Sequence, residues 1–264
     1  MNPPLLLPLH PDAESYQGEI PDVSYGGICP DTGEFLKILP DSRTISEAQR
    51  LMDELEGMRG SQGPFSTDCL YAPKIGKMFG VLICETVNHE VGVLRAFSGM
   101  YEGAWSLPGF VPPTSQVHLF DELRLETEAK VKVLTEQIKE LESRSPAPGR
   151  EQAILDLKFK RKELSWHITD VIHAAYELKN IRGESRSQLA VWNQDKRPPT
   201  GMGDCCAPKL LQYAAAHSLK PLGLAEFWWG NSPPVHPRIE RTFYSACERK
   251  CHPILGFMLQ GLKS

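Results

Sequence analysis

The chain has 264 residues, 41% of them hydrophobic and 23% charged, with a formal net charge of -4. That length can bury one or two cores, and the slight negative balance excludes a global electrostatic pull toward nucleic acid, leaving only local basic patches for such contacts. No run approaches the ~18 apolar residues of a membrane span, and the apolar piece at 4–9 is too short and proline-broken for a signal peptide.

Residues 1–45 are rich in Pro, Gly and Asp and read as an irregular wrapping segment. Ile45, Ala48, Leu51, Met52 and Leu55 recur at helical spacing and predict an amphipathic helix over 45–58, capped by Ser42 or Thr44 and stopped by Gly57 or Gly60. Two β-rich runs at 78–87 and 91–98, joined by Asn88-His89-Glu90, predict an antiparallel hairpin. The Pro- and Gly-rich stretch 99–114 reads as a loop able to line a pocket.

From 119 to 180 the pattern changes. Phe120, Leu123, Thr127, Val131, Leu134, Ile138 and Leu141 recur at three and four, as do Ile154, Leu157, Leu164, Ile168, Val171, Ala175 and Leu178. Pro146 and Pro148 interrupt them, so the segment is expected to be an antiparallel helical hairpin, inserted into a body formed by 1–118 and 181–264. Its run Lys158-Phe-Lys-Arg-Lys162 reads as a solvated helix face, with an RNA-contacting patch as the alternative. Helices at 207–217 and 246–262 and a strand at 221–229 complete an α/β fold, a small mixed sheet with flanking helices.

Chemistry concentrates in the last third of the chain. Seven cysteines without a secretory leader point to the cytoplasm, where thiols act as buried side chains or metal ligands. Cys247 and Cys251, four apart, share a face if both are helical, and Cys205 or Cys206 can supply a third sulfur to a zinc ion. Water, substrate, His236 or His252 would complete the site. The alternative is a set of structural thiols packed between helices. Glu226 and Asp204 are candidates for moving protons. Trp105, Trp228 and Trp229 could line a base-stacking pocket, and Lys209 could bind an anion near a helix start. Core packing for the tryptophans and a solvated lysine are the simpler alternatives.

The order of hairpin, cysteine-led helix, strand and C-x-x-x-C helix resembles the cytidine-deaminase-like fold, which implies zinc on Cys205, Cys247 and Cys251. The general acid/base glutamate of that family would fall at Ala207, two residues after the first ligand. Together with I-G-K-M-F-G-V-L (75–82), L-R-A-F-S-G (94–99), G-F-V-P-P (109–113) and C-H-P-I-L-G-F-M-L-Q-G-L (251–262), the Cys205 stretch is similar to the N-terminal region of long RluA-type RNA pseudouridine synthases. The H-R-L-D-type catalytic motif of that family is absent; Glu122-Leu-Arg-Leu-Glu126 has only its Arg-Leu pair. Three functions follow as expectations. The first is a zinc-binding accessory or recognition domain of RNA modification, with RNA or an RNA-modifying enzyme as partner and no membrane. The others are an active zinc-dependent deaminase-like hydrolase and a protein-interaction module using the helical hairpin.

Overall fold

The computed structural model describes residues 5–61, 65–73, 75–114, 121–192, 194 and 196–262. The chain divides into two compact units, 1–114 with 177–264, and 115–176. The predicted boundary at 118/119, with Phe120, lies outside the described residues.

The first unit is built on strands β1 (Leu7–Pro8), β4 (Lys77–Glu85), β5 (Val91–Phe97) and β8 (Lys220–Trp229), in the order β1-β5-β4-β8. Every pairing is antiparallel, which corrects the expected mixed sheet. The three long strands are β-branched, aromatic and leucine-rich, and side chains alternate between two buried faces. One face presents Phe79, Val81, Ile83, Val93, Phe97, Phe227 and Trp229 to helix α1 (Ser42–Gly57). The other presents Leu82, Cys84, Leu94, Ala96 and Leu224 to helices α5 (Cys206–Ala216) and α6 (His252–Met258).

Helix α1 buries the five predicted apolar residues, but its cap is Asp41. The Asp41 carboxylate accepts from the Thr44 N–H at 2.8 Å while Thr44 Oγ1 accepts from the Asp41 N–H, so Thr44 is the return partner of a capping box. From the same face of the sheet, Arg95 of β5 forks onto Glu54 of this helix at 2.5 and 2.9 Å.

Three expectations are corrected here. The N-terminal segment is not irregular throughout, because β2 (Tyr25–Ile28) and β3 (Phe35–Ile38) form a hairpin. Gly26 and Gly27 hide it from a propensity reading, yet a Cβ at Gly27 would collide with the His252 carbonyl of α6. The final helix starts at His252 rather than Ala246, since Pro253 in its first turn is a favoured start. Leu178 lies on β6 (Glu177–Lys179), which pairs with β7 (Ser185–Ser187), and is buried in the first unit's core. A short helix α4 (Gln188–Trp192) follows.

The second unit consists of α2 (Asp121–Ser143) and α3 (Arg150–Ala175), joined by a turn with Gly149 at φ 79°. Arg161 bonds Thr135 at 3.2 Å and Lys158 pairs with Glu142 at 2.8 Å, so the helices run in opposite directions. Leu134, Ile138, Ile154 and Ile168 are buried between them.

Candidate metal centre

Strand β8 and the start of α5 place most of the site. Gly80 of β4 has no side chain where a Cβ would stand 2.8 Å from the Cys206 Cβ, so α5 can lie close against the sheet at this point. Cys206 turns into that contact, its Sγ 3.2 Å from the Met78 carbonyl, and burial pushes its thiol up. Cys205, the extended residue that caps α5, turns the other way. The choice left open between them falls on Cys205.

Residues 248–251 form a turn instead of helix, and the Cys247 carbonyl before it accepts from the N–H of Cys251 at 3.1 Å and of His252 at 3.2 Å. This turn, not a shared helix face, brings the two sulfurs to 3.5 Å. With Cys205 they form a group whose sulfurs all lie within 4.8 Å of one another. Tetrahedral zinc at ~2.3 Å per thiolate needs sulfurs about 3.8 Å apart, so the donor set fits a metal ion of this kind. Hydrogen bonding among the three sulfurs holds the Cys247 thiol well below its usual range and pushes those of Cys205 and Cys251 up.

The group opens on a cavity of about 460 Å³ that also reaches Met78, Asp204, Glu226 and Trp228. Glu226 is 4% exposed. Its carboxylate accepts from the Ala207 N–H at 2.5 Å, and its own N–H donates to the Tyr25 hydroxyl at 2.6 Å. The Tyr25 hydroxyl in turn donates to the Tyr244 carbonyl at 3.0 Å. Burial raises Glu226 to about 7; the Ala207 N–H and Arg238 oppose that rise, and the charge on Cys247 adds to it. Lys77, Arg238 and Lys250 line the same cavity. The Arg238 guanidinium lies 4.3 Å from the centre of the Tyr244 ring and 5.9 Å from that of Trp228.

Other predicted residues go elsewhere. Asp204 lines the cavity, and its carbonyl accepts from the Gly99 N–H at 2.8 Å. Lys209 is 1% exposed, neither solvated nor on the cavity wall. Its Nζ donates to the carbonyls of Phe97 and Gly99 at 2.9 and 2.8 Å and lies 5.9 Å from the Trp105 ring, so both residues brace the loop after β5. Trp229 is fully buried on the opposite face of the sheet, where the period of two puts it. Of the three tryptophans only Trp228 reaches the cavity. His252 packs edge-on to Phe35 at 5.9 Å and His236 is exposed; neither joins the sulfur group.

Sequence reasoning missed Tyr25, Lys77, Arg238 and Lys250. Tyr25 lies in a Gly-rich segment more than two hundred positions from the carbonyls it bonds, so no local pattern could reveal it. Among the described residues no helix is long and apolar enough to cross a membrane. No protein-family model, curated protein or solved structure matches the chain.

Proposed function

We propose that Cys205, Cys247 and Cys251 hold a zinc ion in a hydrolytic centre that removes an amine from a nucleobase-like substrate in the service of RNA modification. The observation that carries this reading is the place of Glu226. Its carboxylate meets the N–H of Ala207, the position at which the deaminase resemblance calls for an acid/base glutamate. A strand residue would thus supply from the side the group that the helix lacks.

Three soft sulfurs favour zinc over magnesium or calcium, which select oxygen ligands. Zinc bound there would supply a Lewis acid that activates water. Glu226 would take one proton from the attacking water and pass it to the departing amine, while the water's second proton would end on the ring nitrogen, so that substrate and water become a carbonyl product and ammonia. The Ala207 N–H orients the carboxylate for both transfers. Trp228 offers an aromatic wall, and Lys77, Arg238 and Lys250 favour an anionic substrate. Seven free thiols fit a reducing, cytoplasmic setting.

A second reading is a zinc-binding recognition domain without turnover. The hydrogen bond from Ala207 favours it, since a tethered carboxylate can serve structure alone. Metal analysis should find about one zinc per chain, and incubation with cytidine, adenosine, single-stranded RNA and DNA should release ammonia from at least one. Zinc without ammonia from any of them selects the recognition reading. Absence of zinc removes both.

A further inference from the structure

The second unit carries a basic, aromatic cleft that the metal centre does not use. Lys158, Arg161 and Lys162 of α3 line it together with Thr135 of α2, Ser165 and Trp166, around a volume of about 530 Å³. Thr135 Oγ1 accepts from Arg161 at 3.2 Å, which holds one edge of a guanidinium that has further N–H groups to offer. Lys162 lies 4.3 Å from the centre of the Trp166 ring. Among the described residues, Lys158 alone of these three cations forms an ion pair, with Glu142 at the exposed rim.

Exposed apolar side chains accompany the charges. Phe159 is 58% and Trp166 38% exposed, and their spacing of seven puts them on one stripe of α3, about 10 Å apart along the axis. Packing of α2 on α3 gives no reason to show two aromatic rings to water between cations. Alternating positive charge and flat ring matches one class of partner, a flexible chain of phosphates carrying planar bases. An acidic protein segment would satisfy the charges and leave the rings unused. A second copy of this face would oppose lysine to lysine.

We infer that this cleft binds single-stranded nucleic acid, with a backbone phosphate held by Lys158, Arg161 and Lys162, one base stacked on Trp166, and a neighbouring base on Phe159 just outside the cleft. The site goes beyond the metal-centre reading and does not depend on it.

The test uses the whole 264-residue chain and a fluorescently labelled uridine oligonucleotide of ~12 nucleotides, within the usual size range of single-strand sites. Anisotropy titration at low salt should show binding that weakens with salt, with a logarithmic slope near -2 for about three phosphates. Arg161→Ala/Lys162→Ala should flatten that slope by at least about half and weaken binding about tenfold or more. Trp166→Ala should weaken it about tenfold while Trp166→Phe keeps most of it, and circular dichroism should show unchanged helix in each variant. Cys247→Ser should bind as the parent does, which separates this site from the metal centre. No binding by the parent, equal binding by Arg161→Ala/Lys162→Ala, or loss of binding in Cys247→Ser would overturn the inference. So would displacement of the oligonucleotide by polyglutamate as readily as by unlabelled polyuridine, the sign of an acidic protein partner.

Discussion

Adjacent residues of strand β8 meet opposite surroundings. Phe227 and Trp229 point to α1, into a dry cluster where Phe79 and Phe227 stack at 6.1 Å and Trp229 meets Phe227 edge-on at 6.4 Å. Glu226 and Trp228 point the other way, onto the cavity with the cysteines. One face of the strand is spent on burial, and the other keeps a buried carboxylate and an open space that packing would otherwise have filled. A fold holds such groups in place only when the opposite side supplies the stability.

Exchanging one side chain at a time on the two faces should separate them. The largest effect expected is on chemistry: Glu226→Gln should cut ammonia release by about 10²–10⁴-fold, the usual worth of a general acid/base, with zinc content unchanged. If turnover survives intact, the carboxylate is structural and the two faces differ less than argued. Next comes Phe227→Ala, expected to cost about 3–5 kcal/mol in urea unfolding because it empties a fully buried ring site. The folded fraction should still hold zinc. Metal loss without unfolding would show that the aromatic face positions the sulfurs directly.

Lys209→Met should cost less, about 1–3 kcal/mol, since it leaves the Phe97 and Gly99 carbonyls without their buried donor. A neutral result would mean that water reaches those carbonyls.

The smallest effect concerns Glu54 beyond the aromatic face. Partial burial, the largest influence on it, raises its pKa, but hydrogen bonds and charge from Arg95, with help from Arg50, hold the carboxyl below the usual range. A depressed carboxylate stabilises the fold above its unfolded pKa of about 4.3, and that contribution disappears as pH falls through the lower folded value. The Glu54 side chain is 35% exposed, so its share stays under about 1 kcal/mol. Unfolding midpoints of the parent and Glu54→Gln should therefore differ at pH 7 and converge as the pH falls below the depressed folded-state pKa. A gap that persists in acid would contradict the role given to the Arg95 pair.

Much of the scaffold was legible in local pattern. The α1 stripe follows from a spacing of 3.6, and the 78–98 hairpin and the strand ending at Trp229 from continuous β-rich runs bounded by polar turns. The alternation of a strand, applied to residues 226–229, separates Glu226 and Trp228 from Phe227 and Trp229, a step that grouping the tryptophans by type overlooked. The cysteine group could be anticipated from composition but not by its route, since Cys247 and Cys251 meet through a turn rather than a helix face. Tyr25, Arg238 and the cage around Lys209 depend on contacts between distant segments, which a single sequence does not display. The β2–β3 hairpin was hidden by two glycines, of which Gly27 is required by close packing against α6 and Gly26 by the approach of β3.

The most direct measurement is X-ray absorption at the zinc edge of the purified 264-residue chain. The account predicts three sulfur neighbours at about 2.3 Å and one lighter neighbour at about 2.0 Å, a coordination with one position open to the cavity. Four sulfurs, or zinc without sulfur neighbours, would contradict it.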